Sequence, residues 1–375
     1  MILSNNRVNL SSSHPASVHR APRSQTLRHK VVSRTAQNTL SPPTLAPEDI
    51  RTLGNSELRV PCVGIGSWQW GDKWGFWGYD NEYSKKECGE AYEAAVRSGL
   101  TFIDTAEVYG FGLSEEFLKE YMQKAGNKEP VDIQVATKYF PLPWRLTSSS
   151  VPDALRASLA RLGLPRISLY QQHWPGLGLN SLLNDAYIDG LAQCKQQGLC
   201  DAVGVSNFNT QRTRNAAKRL GNAGVPLASN QVMYSLLYRA PESNGLMEAC
   251  RENGVTLIAY SPLAVGLLTG KYTPGGATPY GPRALLFDYD RRLKVQPLVD
   301  LLQAIGNERQ KTPAQVALNW CICKGALPIP GVKNARQAEE CAGALGWRLS
   351  EGEVMELDRV SAGLPQIPGV TLESV

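Results

Sequence analysis

Four side chains of complementary chemistry, Asp104, Tyr109, Lys138 and His173, stand at or just after short apolar runs of this 375-residue chain. A tyrosine is a weak acid, with a reference pKa near 10. A nearby ammonium favours the phenolate and lowers that value. Lys138 is the expected ammonium, Asp104 its expected partner, and His173 an added hydrogen-bond donor. Such a set would protonate a carbonyl oxygen while a hydride attacks the carbon. Each residue also has a plain structural reading: Asp104 as a cap, Tyr109 as a rim aromatic, Lys138 as a solvated strand end, His173 as a satisfied core histidine. His173 is unusual in its isolation, because the other three histidines (His14, His19 and His29) fall in the first thirty residues. With no second imidazole beside it and no CxxC, no metal set is expected. The eight scattered cysteines read as mostly buried thiols, Cys321 and Cys323 lying on one apolar helix.

The elements that must position these residues alternate. "CVGIGSW", "TFIDTA", "IQVATKY", "SLYQQHW", "AVGVSN", "ASNQVMYS", "TLIAYSPL" and "ALPIPG" are eight candidate strands. Helices are expected between them at Ser84–Ser98, opened by the capping box Ser84-x-x-Glu87, and at Ser150–Leu162, stopped by Gly163. Others are expected at 184–197, 210–220, 244–253, 295–306 and 335–344. Strand then helix, eight times over, predicts an α/β single-domain (β/α)8 TIM barrel. A doubly wound open sheet is the rival, but "GIGSWQWG" lacks the third glycine of a dinucleotide turn and "GLLTGK" is one residue short of a phosphate-binding loop. In a barrel the chemistry collects at the C-terminal strand ends, where all four residues fall. The long stretch from Ala264 to Arg292 reads as a functional lid or as a surface insertion.

"FIDTAEVYG", "VATK", "LYQQHWPG", "VGVSNF", "NQVMYS", "AYSPL" and "IPGVKN" occur in the order of the signature blocks of the aldo-keto reductase superfamily, across roughly Leu53 to Val360. The chain is most similar to the plastid-targeted plant branch. The resemblance implies a barrel that binds NADP(H) without a Rossmann domain, with Tyr109 as general acid in an Asp104–Tyr109–Lys138–His173 tetrad. It implies that Ser206, Asn207 and Gln231 hold the nicotinamide carboxamide and that Tyr260 stacks on its ring. Ser261, Leu263, Gly266 and Lys271 match the pyrophosphate stretch, with Arg283 folding over it. Gly331, Lys333 and Asn334 match the 2′-phosphate region, where a cation favours NADP over NAD, and Gln337 and Glu340 match the adenosine end. Cys341 departs from the Asn common beside adenine. The implied partner is a small-molecule carbonyl compound. A cofactor-binding regulatory subunit and a plastid lipid-droplet protein with minor catalysis remain alternative roles. Six tryptophans precede Gly176; of these Trp68, Trp70, Trp144 and Trp174 are expected to wall an apolar substrate pocket. Trp74 and Trp77 complete that group, and Arg145 reads as an anion contact or a surface charge.

Charge excludes some partners. The formal net charge of +5 resides in residues 1–47, which carry Arg7, Arg20, Arg23, Arg28, Lys30 and Arg34 and no acid. Removing those six leaves 33 basic against 34 acidic residues. The body therefore gives no reason to expect nucleic acid or an anionic membrane as partner. The basic, Ser/Thr-rich stretch 1–47 reads as a transit peptide to a plastid (stroma or plastoglobule surface) rather than a mitochondrion, or else as a disordered basic tail, ahead of a barrel at 48–375. No run approaches the roughly 20 apolar residues of a membrane helix, which leaves only peripheral membrane or lipid-droplet association.

Overall fold

The computed structural model describes residues 44–124, 132–176 and 178–367. The expected leader lies almost wholly outside them. An antiparallel hairpin comes first, β1 (Ile50–Thr52) and β2 (Arg59–Pro61). Eight parallel strands follow: β3 (Ile65–Gly66), β4 (Phe102–Asp104), β5 (Gln134–Tyr139), β6 (Ile167–Gln172), β7 (Cys200–Ser206), β8 (Leu227–Met233), β9 (Thr256–Tyr260) and β10 (Leu327–Pro328). They pair in strict chain order. The Gly64 and Gly66 amides donate to Pro328 O and Pro330 O at 3.0 Å, and a parallel bridge joins Gly66 to Gly331. The sheet thus closes into the (β/α)8 barrel.

Successive strand residues face opposite sides. The barrel interior is filled by Phe102, Ala136, Leu169, Ala202, Ala228, Ile258 and Leu327. The hairpin, which has no counterpart in the periodicity, plugs the N-terminal end with Leu53 and Val60. Two residues beyond Phe102, Ala136, Leu169 and Ile258 come Asp104, Lys138, Gln171 and Tyr260. Alternation therefore sends these four into the same interior, one layer closer to the C-terminal rim. Gly204 makes room for this polar layer, since a Cβ there would lie 2.2 Å from Ser229 Oγ and 3.1 Å from Gln171 Cγ.

The outer helices follow local signals. Lys85–Arg97 carries the Ser84/Glu87 capping box and buries Cys88, Tyr92 and Ala95. Ser150–Leu162 ends on Gly163 in the left-handed region. The helix expected at 295–306 is longer, Tyr289–Arg309, because Asp288 caps it so that it starts six residues earlier. The helix expected at 244–253 shortens to Leu246–Glu252. Leu113–Lys124 has no expected counterpart: its buried face includes Ser114 and Glu115, which interrupt the apolar stripe. Glu351–Ser361 buries only Leu357 and Ser361, too little for a periodic signal. Cys321 and Cys323 lie on Pro313–Cys323, and all eight cysteines are free. Among the described residues no helix is long and apolar enough to cross a membrane.

Candidate active site

Asp104 ends β4, Lys138 is the penultimate residue of β5, and His173 follows β6 directly, so three neighbouring strands deliver them to one rim. Tyr109 comes from the turn after β4. Lys138 is fully buried. Its Nζ donates to Asp104 Oδ1 in a short ion pair, to Thr105 O at 2.9 Å and to Tyr109 Oη at 3.3 Å. The other Asp104 oxygen accepts from Gln231 Nε2 at 2.8 Å and Gln171 Nε2 at 3.3 Å. The Tyr109 and His173 rings meet edge-on at 5.6 Å. His173 Nδ1 is buried without a hydrogen-bond partner among the described residues.

Burial shapes the protonation of this group. It pushes the Tyr109 phenol well above its ordinary value, and the Asp104 carboxylate adds to the rise. This reverses the expected lowering by Lys138: a phenolate here would lose its water and face a carboxylate, and those costs prevail. Burial also lowers Lys138, against the opposing pull of Asp104. His173 falls well below 6.5, through burial first and the Lys138 charge second. Tyr109 is thus a neutral phenol and His173 a neutral imidazole.

The tetrad opens on a cavity of about 1040 Å³. Asp104, Tyr109 and His173 line it, as do all of Ser206, Asn207, Gln231, Tyr260, Ser261, Leu263, Gly266, Lys271, Arg283, Gly331, Lys333, Asn334, Gln337 and Glu340. Ser206 ends β7, Gln231 lies in β8 and Tyr260 ends β9. Their polar groups interlock: Ser206 Oγ donates to Gln231 O at 2.8 Å, Asn207 Nδ2 to His173 O at 3.0 Å, and Tyr260 Oη to Asn207 Oδ1 at 3.0 Å. Asn207, Ser261 and Val265 adopt left-handed backbone, φ +61°, +52° and +52°, a local strain that gathers at functional sites. The 264–287 segment passes beside the cavity. Arg283 stands 5.2 Å over the Trp77 ring and donates to Val265 O at 3.2 Å. Cys341, at the position that departs from Asn, also lines the cavity, and burial pushes its thiol up.

The tryptophans divide. Trp68 lies against the Tyr109 ring at 6.3 Å and 28°, and it lines the cavity with Trp74, Trp77 and Trp174. Trp70 does not reach it. Its buried ring packs edge-on against Tyr121, and its indole N–H donates to Val332 O at 2.9 Å. Residues 68–71 form a turn after β3, closed by the Trp70 amide on Ser67 O at 2.9 Å, and this turn carries residue 70 into the wall behind the cavity. Trp144 is also outside the lining, 72% exposed at the rim. Arg145 is held by both oxygens of Glu107 and is no free anion site.

Other lining residues had no expectation attached: Phe76, Glu82, Phe140 and Arg336. Gln171, which steadies Asp104 from inside the barrel, was readable as the residue two beyond Leu169 and one before Gln172. Glu82 had no local signal, because its partner Lys333 is 251 residues away.

A dinucleotide fits this donor set. The cavity joins amide and hydroxyl groups beside an aromatic ring to Lys271, Arg283, Lys333 and Arg336, cations suited to phosphates. Trp77 Nε1, Gln69 Oε1 and His173 Nδ1, all on lining residues, are buried and have no hydrogen-bond partner among the described residues, and such groups call for a ligand or water.

Comparison with known proteins agrees with this architecture. The chain is 40% identical over 319 residues to the chloroplastic pyridoxal reductase of Arabidopsis thaliana, covering 82% of this chain and 85% of the relative. It is 32% identical to an NADP(+) aldo-keto reductase of Schizosaccharomyces pombe, covering 82% and 89%. A glycerol dehydrogenase structure from Gluconobacter oxydans superposes with TM-score 0.72 at 25% identity, covering 87% and 99%. An aldo/keto reductase of Klebsiella pneumoniae in complex with NADP and acetate superposes with TM-score 0.64 at 25% identity, covering 84% and 95%. Residues 62–362 match the aldo/keto reductase family, and with that match, those relatives and this barrel the chain belongs to the aldo/keto reductase family of oxidoreductases that act on carbonyl compounds.

Proposed function

We propose that this protein uses NADPH to reduce a planar aromatic aldehyde, of which pyridoxal is the leading candidate, to the corresponding alcohol. The observation that carries the reading is the convergence of Tyr109, Lys138, Asp104 and His173 on one end of an aromatic-walled cavity. Trp68, lying nearly parallel to Tyr109, and Phe140, edge-on to His173 at 5.8 Å, suit a flat ring placed between them. The pyridoxal reductase of Arabidopsis supports the choice of substrate.

NADPH held in this cavity would supply the hydride for the carbonyl carbon. Tyr109 supplies the proton: its phenol bonds the carbonyl oxygen, and the proton crosses as electron density builds there. Lys138 stabilises the phenolate left behind, its Nζ 3.3 Å from Tyr109 Oη. Asp104 keeps Lys138 in place, and Gln231 and Gln171 keep Asp104 in place. His173, held neutral by burial, orients the carbonyl oxygen without contributing a charge. Ser206, Asn207 and Gln231 would hold the carboxamide, Tyr260 the ring, Ser261, Leu263, Gly266, Lys271 and Arg283 the pyrophosphate, Gly331, Lys333 and Asn334 the 2′-phosphate, and Gln337 and Glu340 the adenosine. Residues 1–47 would direct the chain to a plastid, in keeping with the name of the Arabidopsis relative.

The test is a turnover panel of pyridoxal, other aromatic aldehydes and short aliphatic aldehydes with NADPH. Higher kcat/KM for the aromatic compounds supports the reading, and a preference for aliphatic ones overturns the substrate class. Fusing residues 1–50 to a fluorescent reporter tests the leader, and a cytosolic signal overturns it.

A further inference from the structure

Two of the cations along the cavity already face a carboxylate. Lys333 Nζ lies 2.9 Å from Glu82 Oε2, and Arg336 lies 3.5 Å from Glu340. The Arg336 pair is a solvated contact within one helix. The Lys333 pair is enclosed: the lysine side chain is 12% exposed, its Nζ also donates to Trp77 O at 2.5 Å, and it sits 4.8 Å from the Tyr83 ring. Resting on the reading that Lys333 receives the 2′-phosphate, we propose that Glu82 is a specificity-determining residue that weakens the preference for NADPH over NADH.

The reason is charge. A phosphate bonded to Lys333 would stand within about 6 Å of the Glu82 carboxylate, close enough for like charges to repel in a partly enclosed site. Neither partner turns away freely. The second Glu82 oxygen accepts from the Tyr280 amide at 3.2 Å, which ties the 264–287 segment to the loop after β3. The Glu82 stem passes so near Gly78 that a Cβ there would lie 3.1 Å from its Cγ. Lys333, the Tyr280 amide and Arg283 together hold the carboxyl below its ordinary range against burial, so the negative charge persists at neutral pH. A ribose 2′-hydroxyl carries no charge and can donate to a carboxylate, the arrangement by which acidic residues select NAD elsewhere. Glu82 therefore opposes the phosphorylated dinucleotide and tolerates the other. Arg283 and Lys271 are left to the pyrophosphate common to both.

The experiment measures dissociation constants on the full chain at fixed ionic strength for NADPH, NADH, adenosine 2′,5′-bisphosphate and AMP. Glu82→Gln, which keeps an acceptor for the Tyr280 amide, should tighten NADPH and the bisphosphate at least fivefold while NADH and AMP stay within twofold. Glu82→Ala should shift selectivity in the same direction. Unchanged selectivity overturns the proposal, and so does weaker NADPH binding, which would mean that Glu82 only orients Lys333. Lys333→Ala separates the underlying reading. If that variant binds NADPH as the wild type does, the phosphate assignment fails. If it loses NADPH while Glu82→Gln changes nothing, only the role of Glu82 fails.

Discussion

Two ion clusters, each built around a tyrosine, sit in this barrel and end in opposite states. Between β8 and the C-terminal helix, Glu242 accepts from Arg239 at 2.7 Å, Lys324 at 3.0 Å and Tyr234 Oη at 2.7 Å. Asp358 accepts from Lys324 at 2.9 Å and the Trp320 indole at 2.8 Å. Tyr234 stacks on Trp320 at 5.1 Å. The carboxylates and the phenol there all have protein partners, and the cluster fastens Glu351–Ser361 to the barrel. At the rim, Lys138 and Asp104 are equally well paired, but the cluster stops short of its outer members. Among the described residues, Tyr109 Oη has one hydrogen-bond partner, Lys138 Nζ, and His173 Nδ1 has none. Satisfied polar groups hold a fold together, whereas unsatisfied buried ones are retained where they meet a ligand.

The contrast is broken most severely at Tyr109. Tyr109→Phe removes the proton donor, and the reduction rate should fall about 10³-fold with NADPH affinity kept within twofold; stopped-flow turnover and fluorescence titration measure both. Comparable turnover in that variant would remove Tyr109 from the mechanism. Glu242→Gln should do the reverse, keeping kcat while lowering stability by about 2 kcal/mol, read from urea unfolding. Glu242 is held at about 2 by Arg239, Tyr234 and Lys324 against burial, below the ordinary carboxylate value. Its contribution is therefore complete above the unfolded value near 4.5 and is lost as pH falls toward 2. The variant should show a flatter stability profile across that window, and an unchanged profile would deny the cluster its fastening role.

A subtler measurement uses pH at the rim. Burial keeps Tyr109 protonated and His173 neutral, so neither should produce an inflection in the reduction rate between about pH 7 and 9. A titration in that range that disappears in Tyr109→Phe would place the phenol far lower than its surroundings require. The smallest effect belongs to Trp144→Ala. Exposed at the rim and outside the cavity lining, it should leave KM for aromatic aldehydes within twofold, whereas Trp68→Ala should raise it about tenfold through lost stacking.

The barrel strands were legible because each is an apolar run of the right length between helical patterns, and their order left parallel pairing as the natural arrangement. The tetrad was legible for a related reason: polar residues at the ends of apolar strands are costly unless used. Trp70 and Trp144 show where that reasoning stops. Both lie in tryptophan-rich stretches near the rim, yet Trp70 turns behind the wall to reach Val332 O and Trp144 faces solvent. Residue type places an aromatic near the mouth, and only packing decides whether its ring faces inward. Helix Leu113–Lys124 was hidden by Glu115, a buried carboxylate whose partners Thr137 and Arg161 come from other elements.

The sequence by itself determined the alternation of strand and helix, the interior face of each strand and the identity of the groups carried to the rim, because these follow from local periodicity and capping. Only the tertiary structure decided the protonation of Tyr109, the pairing of Lys333 with Glu82 across 251 residues and the plugging of the barrel floor by the first hairpin. Those outcomes depend on desolvation and on distances between segments far apart in the chain, which residue spacing does not encode.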